Sequence, residues 1–450
     1  MDNIPNDVLL EIFRTLFDER NNWVSIGNKK TPWSIATVCR RWRSLVLGTP
    51  TFWNNINIPS ASCGMQSTGL ALETTLSRSG TLPISIHLSQ RECPLSTHAI
   101  AALNTSVDRL KTLMIWGNDE GEKFLGGFGF PWPMPQLRCL KIDILTRRGK
   151  IFDLAAYLRP FSDCPSLEEL HVTALELPTP ERQVLPRDVA GLDFLWGKLV
   201  VLRLDVPMYF KTFLNVLQSC VRLKSLTLGR WCQNISVEEA YEFPLVLLPF
   251  LETLNAIHPE SSIVLTRLHV PNLVELTMSL WDGYTLNLLL EVSGPLRALR
   301  TLRFVDSGDF TEEIFTEESL ISSLDPMTSL PSLEVVCLRL RTASLPLALN
   351  KLVSLAPSLH LKTIWLSEWS RTPQKSELCQ SIAVADSFQA LVAAFLGEKK
   401  RTLECVYLDF SQGRPPPKVP EISYIPEDLQ NTPLLQRLSE FQDLIVVVSL

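Results

Sequence analysis

A short leucine motif recurs along most of this chain and constrains its fold more than any other feature. The motif reads x-Leu-x-x-Leu-x-Leu and is often preceded by Pro or Cys-Pro, as in CPSLEELHV and LPFLETLNA. Neighbouring motifs lie from 22 residues apart (Leu251 to Leu273) to 42 residues apart (Leu361 to Leu403). Such self-similarity is typical of stacked repeats, in which each unit buries its apolar side against its neighbours. The first leucines of the motifs are Leu110, Leu137, Leu167, Leu199, Leu223, Leu251, Leu273, Leu299, Leu333, Leu361 and Leu403.

The segments between the motifs predict an α/β solenoid of the leucine-rich-repeat type. YFKTFLNVLQSC and SFQALVAAFLG carry apolar residues at helical spacing, so we expect convex helices opposite parallel strands of about three to five residues. Regular leucine-rich repeats carry an Asn at a fixed position shortly after the leucine motif. In this chain only Asn118 occupies that position, while Trp231, Trp281 and Trp369 occupy it in other repeats. We therefore expect an irregular solenoid, in which these tryptophans fill the core or, alternatively, line a binding rim.

The N-terminus carries a different pattern, that of an amphipathic helix. Pro5 suits the first turn of this helix, and Asp7 complements the positive end of its dipole. Residues at helical spacing line one face of the predicted helix: Val8, Leu9, Ile12, Phe13 and Leu16.

A second apolar stripe follows about thirty residues later, with Thr31 and Pro32 as its predicted cap and first position. Two or three short helices cannot bury so much apolar surface among themselves, so another surface must cover it. That surface is either the rest of the chain or a foreign partner. The second stripe comprises Ile35, Val38, Cys39, Trp42, Leu45 and Val46.

The two stripes, with Ile4-Pro5 at the start, the VCRRWR run and a closing Phe52-Trp53, closely resemble an F-box. The resemblance covers about residues 2–58 and implies a trihelical module that packs against the Skp-type adaptor of a cullin-based ubiquitin ligase. The polar insert from Asp18 to Lys30 is longer than the usual turn between F-box helices. The resemblance implies that the adaptor is bound by the following residues: Ile4, Pro5, Val8, Leu9, Ile12, Phe13, Val38, Cys39 and Trp42.

We expect the chain to be organised in four segments. These are an F-box at 1–58, a helical linker at 59–81, a leucine-rich-repeat-like array at 82–413, and a Pro-rich linker with a C-terminal cap at 414–450. LPISIHLS is expected to supply the first strand of the array. The final TPLLQRLSEFQDLIVVVSL is expected to begin as a helix and to close the open end of the sheet with its β-branched residues.

Composition excludes several classes of partner. A net charge of −6 and a charged fraction of 20% give no reason to expect nucleic acid or an anionic membrane. The ten cysteines are scattered singly, which indicates buried thiols in a reducing compartment. We find no secretory signal and no apolar run of about 18–20 residues, so the predicted location is cytoplasmic or nuclear.

Catalytic and metal-binding patterns are missing from the sequence. The glycine-rich run at Gly126 opens onto FPWPMP, which cannot form the helix of a phosphate-binding loop. No G-x-S-x-G occurs, and no nucleophile can be paired with a histidine. We expect no enzyme, no cofactor and no metal. The histidines, which lack metal-ligand spacing, are His87, His98, His171, His258, His269 and His360.

The outward residues of the predicted strands form the candidate surface for a target protein. Their charges are mixed, which argues against a phosphate backbone as ligand. Towards its C-terminal end this surface carries Arg303, Trp365 and Tyr407, the residue types that dominate protein–protein hot spots. We expect these three residues to help bind a target, with ordinary solvated strand positions as the alternative.

The resemblance implies a non-catalytic substrate-recognition adaptor of a cullin-based (SCF-type) ubiquitin ligase, in a layout similar to that of many fungal proteins. Its F-box would dock the Skp-type subunit of the cullin ligase core, and its array would hold an unknown target protein. One alternative is an interaction scaffold whose N-terminal helices only cap the solenoid. Another is a small-molecule receptor, which would need convergent polar groups that the strand residues do not show.

Overall fold

A computed structural model of the chain shows parallel strands that alternate with helices. The chain divides into two compact units, Met1–Leu223 with Trp231–Gln233, and Lys224–Arg230 with Asn234–Leu450. The residues that the structure describes are 4–18, 24–26, 32–59, 66–89, 95–118, 134–146, 153–176, 194–206, 208–229, 235–258, 261–279, 285–305, 317–340, 344–368, 382–396, 403–409, 433, 436 and 445–449.

The strands of the first unit form a parallel sheet in which each strand pairs with the next one along the chain. Parallel neighbours need crossover connections, and helices or 3₁₀ turns supply most of these. The strands are β1 (Val24–Ser25), β2 (Asn55–Ile58), β3 (Ile84–Ser89), β4 (Leu110–Asn118), β5 (Cys139–Thr146), β6 (Glu169–Glu176) and β7 (Val201–Asp205).

Side chains along these strands alternate between the core and the exposed face of the sheet. Ile56 and Ile58 of β2 are buried, whereas Asn55 and Asn57 between them are half-buried. The pairing register carries Ile56 onto Ile86 of β3, so equivalent aliphatic side chains stack from strand to strand. This stacking is the core expected of a repeat array.

Helices of the first unit bury one apolar face each. They are α1 (Asn6–Asp18), α2 (Trp33–Ala36), α3 (Arg40–Leu47), α4 (Gln66–Arg78), α5 (Thr97–Asn104), α6 (Leu154–Leu158) and α7 (Phe210–Ser219). In α7 the predicted stripe is buried, since Phe213 and Leu217 are fully covered. Short 3₁₀ turns lie at Pro50–Phe52, Val107–Arg109, Arg159–Phe161 and Trp196–Lys198.

The C-terminal end of α4 is closed by a glycine and an arginine. Gly80 adopts a left-handed conformation with φ of 59°, which side chains rarely tolerate. The Arg109 guanidinium donates to the carbonyl oxygens of Leu76 at 3.3 Å and Leu82 at 3.1 Å. These bonds satisfy carbonyls that a helix end would otherwise leave unpaired.

The second unit repeats the same plan. Its parallel sheet runs through β8 (Ser225–Leu228), β10 (Thr253–Ala256), β12 (Glu275–Ser279), β13 (Thr301–Val305), β14 (Val335–Leu340), β15 (Thr363–Glu368), β16 (Cys405–Asp409) and β17 (Ile445–Ser449). A separate parallel pair consists of β9 (Val246–Leu247) and β11 (Leu268–His269).

Helices of the second unit supply much of its core. In the longest of them Phe388, Leu391 and Phe395 are buried, as their spacing predicts. The helices are α8 (Val237–Ala240), α9 (Ser261–Leu265), α10 (Thr285–Ser293), α11 (Glu317–Leu324), α12 (Leu345–Leu355) and α13 (Ile382–Leu396), with 3₁₀ turns at Asp325–Ser329 and Ala356–Ser358.

The predicted α/β repeat fold is confirmed within each unit. A strand follows the first leucine of every motif that the sequence defines, from Leu110 to Leu403. The β-branched C-terminal residues also form a strand, β17, which pairs with β16. Trp231, Trp281, Trp369, the Gly126 run and the Pro-rich 414–421 segment lie outside the described residues.

Two details of the sequence prediction are wrong. Strands β4, β5 and β6 contain 9, 8 and 8 residues, longer than expected. The sheet also begins earlier than LPISIHLS, because β1 and β2 precede β3. The helix expected within 59–81 is α4, in which Leu72 and Leu76 are buried and which packs on α5.

Among the described helices, none combines the length and the apolar character that crossing a membrane requires.

Gly69 sets how closely α4 approaches α5. A Cβ atom at position 69 would stand 2.5 Å from the Cβ of His98 and 3.1 Å from the backbone nitrogen of Ala99. Ala in place of Gly ordinarily stabilises a helix by about 0.5–1 kcal/mol. We expect the opposite here: Gly69→Ala should destabilise the protein by about 1–3 kcal/mol because the two helices must separate.

Urea unfolding followed by circular dichroism measures this effect. Ser77→Ala, an exposed change in the same helix, is the matched control and should leave the midpoint almost unchanged. A Gly69→Ala midpoint equal to or above that of the unaltered protein would contradict the close helix contact.

Candidate docking surfaces

The first helix presents apolar side chains on two sides. Leu9 and Phe13 are 2% and 0% exposed and belong to a buried cluster. Val8, Ile12 and Leu16, spaced four residues apart, are 45%, 44% and 42% exposed. We call these three residues the apolar helix face. The buried cluster comprises Leu9, Phe13, Val24, Ile35, Ala36, Val46, Phe52 and Trp53.

A turn at residues 37–39 divides the predicted second helix into α2 and α3. The Thr37 hydroxyl donates to the Ser34 carbonyl at 2.7 Å, at the end of α2. Cys39 is extended and caps α3, because its Sγ accepts the N–H of Trp42 at 3.4 Å. The turn leaves Val38 58% exposed. The sequence predicted one stripe through this region and missed the break.

Contacts between α1 and α3 fix the N-terminal helices against each other. The rings of Phe13 and Trp42 meet edge to face, with centroids 4.9 Å apart. The Arg41 guanidinium donates to Asn6 Oδ1 at 3.0 and 2.7 Å and also to the carbonyl of Ile4. Hydrogen bonds donated by a charged group are stronger than those between neutral groups, so Arg41 holds the start of α1 firmly in place.

A tryptophan pair joins these helices to the first sheet and to α4. The buried Trp53 indole N–H donates to the carbonyl of Val46 at 2.8 Å. The rings of Trp53 and Trp33 meet edge to face at 4.9 Å, and the Arg78 guanidinium lies 4.7 Å from both centroids. Burial lowers the pKa of Arg78 from its ordinary value. The cation is therefore partly desolvated, a setting in which cation–π attraction is strong.

The polar insert between α1 and α2 contributes the first strand. Within it Val24 and Ile26 are 0% and 2% exposed. Val24 pairs with Ile56 of β2, and the Ile26 N–H donates to the Asn57 carbonyl at 2.9 Å. The insert therefore covers the edge of the sheet rather than forming only a polar loop, and it protects that edge from other strands.

A second candidate surface crosses four strands of the second unit. Arg303, Cys337, Trp365 and Tyr407 occupy one register row on β13, β14, β15 and β16. We call these four residues the aromatic row. The Trp365 and Tyr407 rings are stacked, with centroids 4.5 Å apart and planes at 12°. Burial raises the pKa of Tyr407 and that of Cys337, the latter to about 11, so both groups are neutral at neutral pH.

Charges alternate on the corresponding face of the first unit. Lys141, His171 and Arg203 share a register row on β5, β6 and β7. Burial and Lys141 lower the pKa of His171, while Glu169 and Asp143 oppose them. Because acidic groups lie beside the basic row, this face does not form the continuous basic stripe that a phosphate backbone needs.

The described part of the chain offers little chemistry for catalysis. It contains no group of three or more His, Cys, Asp or Glu side chains that could hold a metal ion. Burial raises the pKa of Cys139 and Cys220 to about 12 and that of Cys164 to about 11, so these thiols are unreactive at neutral pH. The His269 ring bonds the Val292 carbonyl at 3.0 Å, a structural contact.

A small internal space of the first unit also lacks the polar groups of a ligand site. It lies beneath β3 and β4 and is lined by Ile84, Ile86, Leu88, Leu103, Ser106, Val107, Leu110 and Leu113. Dry aliphatic spaces of this kind are ordinary packing defects.

Sequence comparison decides the nature of the N-terminal helices. A family model described as F-box-like matches residues 1–59. Residues 1–59 are an F-box-like domain. The F-box is followed by the parallel-strand repeat array described above, as the sequence predicted.

Other comparisons add little. No curated protein matches the chain. Among solved structures, a Bacteroides fragilis protein is similar over 76% of this chain and 70% of its own, with 13% identity and a TM-score of 0.27. A similarity this weak supports no conclusion about fold or function.

The structure separates the residues that the F-box resemblance assigns to adaptor binding. Val8, Ile12, Val38, Cys39 and Pro5 are exposed. Ile4 and Trp42 are half-buried, and both contact other parts of the F-box. Leu9 and Phe13 are enclosed in the core of the F-box itself. In this structure both side chains face the core of the F-box, whereas the sequence prediction placed them among the adaptor-binding residues.

Two residues outside the predicted adaptor-binding set also shape the surface of α1. Leu16 extends the apolar helix face by one turn, and its spacing of four from Ile12 was a readable signal. Arg41 holds α1 in place through Asn6, but no periodicity in the sequence reveals a contact across 35 residues.

Core and surface positions of α1 should respond differently to truncation. Phe13→Ala empties a fully buried site and should destabilise the F-box by about 3–5 kcal/mol. Val8→Ala, at an exposed site of the same helix, should change stability by less than about 0.5 kcal/mol. Thermal and urea unfolding of the full chain measure both values. Equal effects of the two substitutions would contradict the division of α1 into buried and exposed faces.

Proposed function

We propose that the protein is a non-catalytic substrate-recognition adaptor of a cullin-based ubiquitin ligase. Proteins that combine an F-box with leucine-rich repeats are typically non-catalytic adaptors, and an F-box implies a Skp-type partner. In this proposal the F-box docks the Skp-type subunit, the repeat array binds a target protein, and the associated ligase transfers ubiquitin to that target by proximity.

The observation that carries the proposal is the exposed apolar helix face. Val8, Ile12 and Leu16 leave two-fifths or more of their surface open, whereas Leu9 and Phe13 of the same helix are buried. Aliphatic side chains spaced four apart on one helix suit recognition in a hydrophobic groove. Covering them on a partner would gain free energy in proportion to the apolar area removed from water.

The anchoring of the F-box supports the same role. The β2–β3 pairing and the Arg78 guanidinium over Trp53 fasten the F-box to the part of the first unit that follows it, so its helices cannot swing freely on a linker. A ligase adaptor gains from such rigidity, because a fixed geometry raises the effective concentration of a held target near the transfer machinery.

A capping scaffold is the second candidate. In this candidate the N-terminal residues only close the start of the first sheet, where β1 and β2 pair ahead of β3. Capping accounts for the buried residues Leu9, Phe13 and Trp53, but it gives no role to Val8, Ile12 and Leu16. The exposed face therefore favours the adaptor over the scaffold.

The decisive experiment is capture of a recombinant Skp-type adaptor by the full-length protein. Val8→Glu combined with Ile12→Glu places charges on the apolar helix face and should weaken capture at least about tenfold. Leu70→Glu is the matched control: Leu70 is 62% exposed on α4, outside the F-box, and its replacement should leave capture unchanged.

Thermal unfolding must show that the double variant remains folded. A folded double variant that captures the adaptor as well as the unaltered protein would favour the scaffold. Failure of the unaltered protein to capture any Skp-type adaptor would also contradict the proposal.

A further inference from the structure

A group of aliphatic and aromatic side chains is exposed on the second unit, outside its main sheet. Its four members belong to residues 241–250 and leave from 47% to 58% of their surface open. Exposed apolar residues are ordinary when they occur singly, but a group of them with a polar border marks a binding surface. We call this group the β9 patch, after the short strand at its centre: Tyr241, Leu245, Leu247 and Phe250.

The alternation of side chains along β9 determines the direction of the two leucines. Val246 and Leu248 are 0% and 1% exposed and anchor the strand in the core. Because successive side chains of a strand point to opposite sides, Leu245 and Leu247 face away from that core together. In the paired strand β11, the residue in register with Leu247 is His269, which borders the patch with a polar ring. The exposure of both leucines is therefore imposed by a packed strand.

A turn holds Phe250 directly after this strand. The Leu251 N–H donates to the Leu248 carbonyl at 3.2 Å, which places Pro249 and Phe250 at the corner of the turn. The side-chain amide of Asn272 donates to the Pro249 carbonyl at 2.8 Å. Phe250 is therefore exposed on a turn that hydrogen bonds fix in place.

A single arginine joins Tyr241 to the rest of the patch. The Arg267 guanidinium lies 5.3 Å from the centroid of the Tyr241 ring. The carbonyl of the same arginine accepts the N–H of Val246 in β9 at 2.8 Å. Tyr241 is therefore held beside β9, and the four side chains form one surface.

Acidic residues dominate the chain around the patch. From position 231 to position 266 the sequence contains five glutamates and neither Lys nor Arg. Arg267 follows, but this side chain is only 8% exposed and lies against the Tyr241 ring. The surface near the patch therefore carries mainly negative charge. The five glutamates are Glu238, Glu239, Glu242, Glu252 and Glu260.

Two of these glutamates border the patch at Tyr241. Glu238, Tyr241 and Glu242 are spaced three and four residues apart, and the Tyr241 N–H donates to the Glu238 carbonyl at 3.1 Å. Residues at this spacing share one side of a helical turn. Both glutamates are exposed, and neither forms an ion pair in the described part of the chain. Hydrogen bonds from its own N–H and from Ser236 lower the pKa of Glu238, so this carboxylate is ionised at neutral pH.

The other described glutamates of the segment already have partners. Glu239 accepts the Ser236 N–H at 2.9 Å at the start of α8. Glu252 is paired with Lys224 at 3.0 Å. Glu238 and Glu242 are therefore the carboxylates that remain to pair with cations of a partner.

The charge of this border selects among possible occupants of the patch. An anionic membrane would be repelled by the carboxylates. A second copy of the chain, docked patch to patch, would bring two acidic borders together. A segment that carries cations beside apolar side chains satisfies both parts of the surface.

We propose that the β9 patch binds a basic amphipathic segment of a partner protein. Aliphatic or aromatic side chains of the segment cover Leu247 and Phe250, and its Lys or Arg side chains pair with Glu238 and Glu242. The patch lies outside the F-box, and the inference does not depend on the proposed function.

Display selection with the full-length protein tests the inference. A library of random short peptides is selected on the immobilised protein, and the recovered peptides are resynthesised with a fluorescent label. Fluorescence anisotropy then compares their binding to the unaltered protein and to a variant that combines Leu247→Ser with Phe250→Ser. We expect a group of peptides whose binding this variant weakens at least about tenfold. That group should be enriched in Lys and Arg together with aliphatic or aromatic residues.

Charge variants separate the acidic border from the apolar patch. Glu238→Gln with Glu242→Gln keeps the shape of both side chains and should weaken binding of the same peptides at least about twofold, since exposed ion pairs are individually weak. Raised salt should also weaken binding, because such pairs are screened. Leu70→Ser with Glu73→Gln, which alters an exposed leucine and an exposed glutamate of α4, is the matched control and should have no effect. Circular dichroism melting confirms that each variant is folded.

Several results would overturn the proposal. These are the recovery of no peptide that depends on the patch, patch-dependent peptides without Lys or Arg enrichment, and equal binding by the glutamine variant. A dimer in sedimentation velocity that Phe250→Ser abolishes would identify a second copy as the occupant instead. Flotation with phosphatidylcholine–phosphatidylserine vesicles that Phe250→Ser abolishes would identify a membrane.

The result can be told apart from that of the adaptor experiment. The patch variants should capture the Skp-type adaptor as the unaltered protein does. Failure of adaptor capture would refute the proposed function and leave peptide binding at the patch unaffected. Failure of peptide binding at the patch would refute only the present inference.

Discussion

The rest of the N-terminal structure depends on the pairing of β2 with β3. The segment that closes the F-box, Asn55–Ile58, is also an inner strand of the first sheet, and the Ser85 N–H donates to the Asn54 carbonyl at 2.8 Å as pairing begins. Trp53, just before this strand, is fully buried and bonds the Val46 carbonyl of α3. The F-box-like domain and the first strands of the repeat array are therefore joined by direct strand pairing in the first unit.

This continuity determines which face of α1 is left for a partner. The buried cluster uses Leu9 and Phe13, and α3 closes over Phe13 through Trp42. Arg41 then fixes the start of the helix through Asn6. Because one side of α1 is buried in this way, Val8, Ile12 and Leu16 face outward from a helix that is fixed in place. Preorganisation of this kind lowers the entropy lost when a partner binds.

The sequence supports some of these conclusions and cannot support others. The leucine motif predicts the strands β4 to β8, β10 and β12 to β16, and equal spacing brings Arg303, Trp365 and Tyr407 into one row. In α1, however, apolar residues span more than one side, so periodicity cannot tell the core side chain Phe13 from the exposed Ile12. The sequence also does not reveal the roles of Val24 and Ile26, because strand pairing is a property of the folded chain.

Hydrogen exchange with and without a Skp-type adaptor tests the central claim most directly. If the F-box docks through its exposed apolar side chains, adaptor binding should slow exchange in α1 and in the 37–39 turn, where the described F-box residues expose Val8, Ile12, Leu16 and Val38. Amides of β1 and β2 should be protected equally in both states, because their pairing already exists. Unchanged exchange in α1 of an adaptor-bound protein, with slowing confined to the sheet faces, would contradict the account.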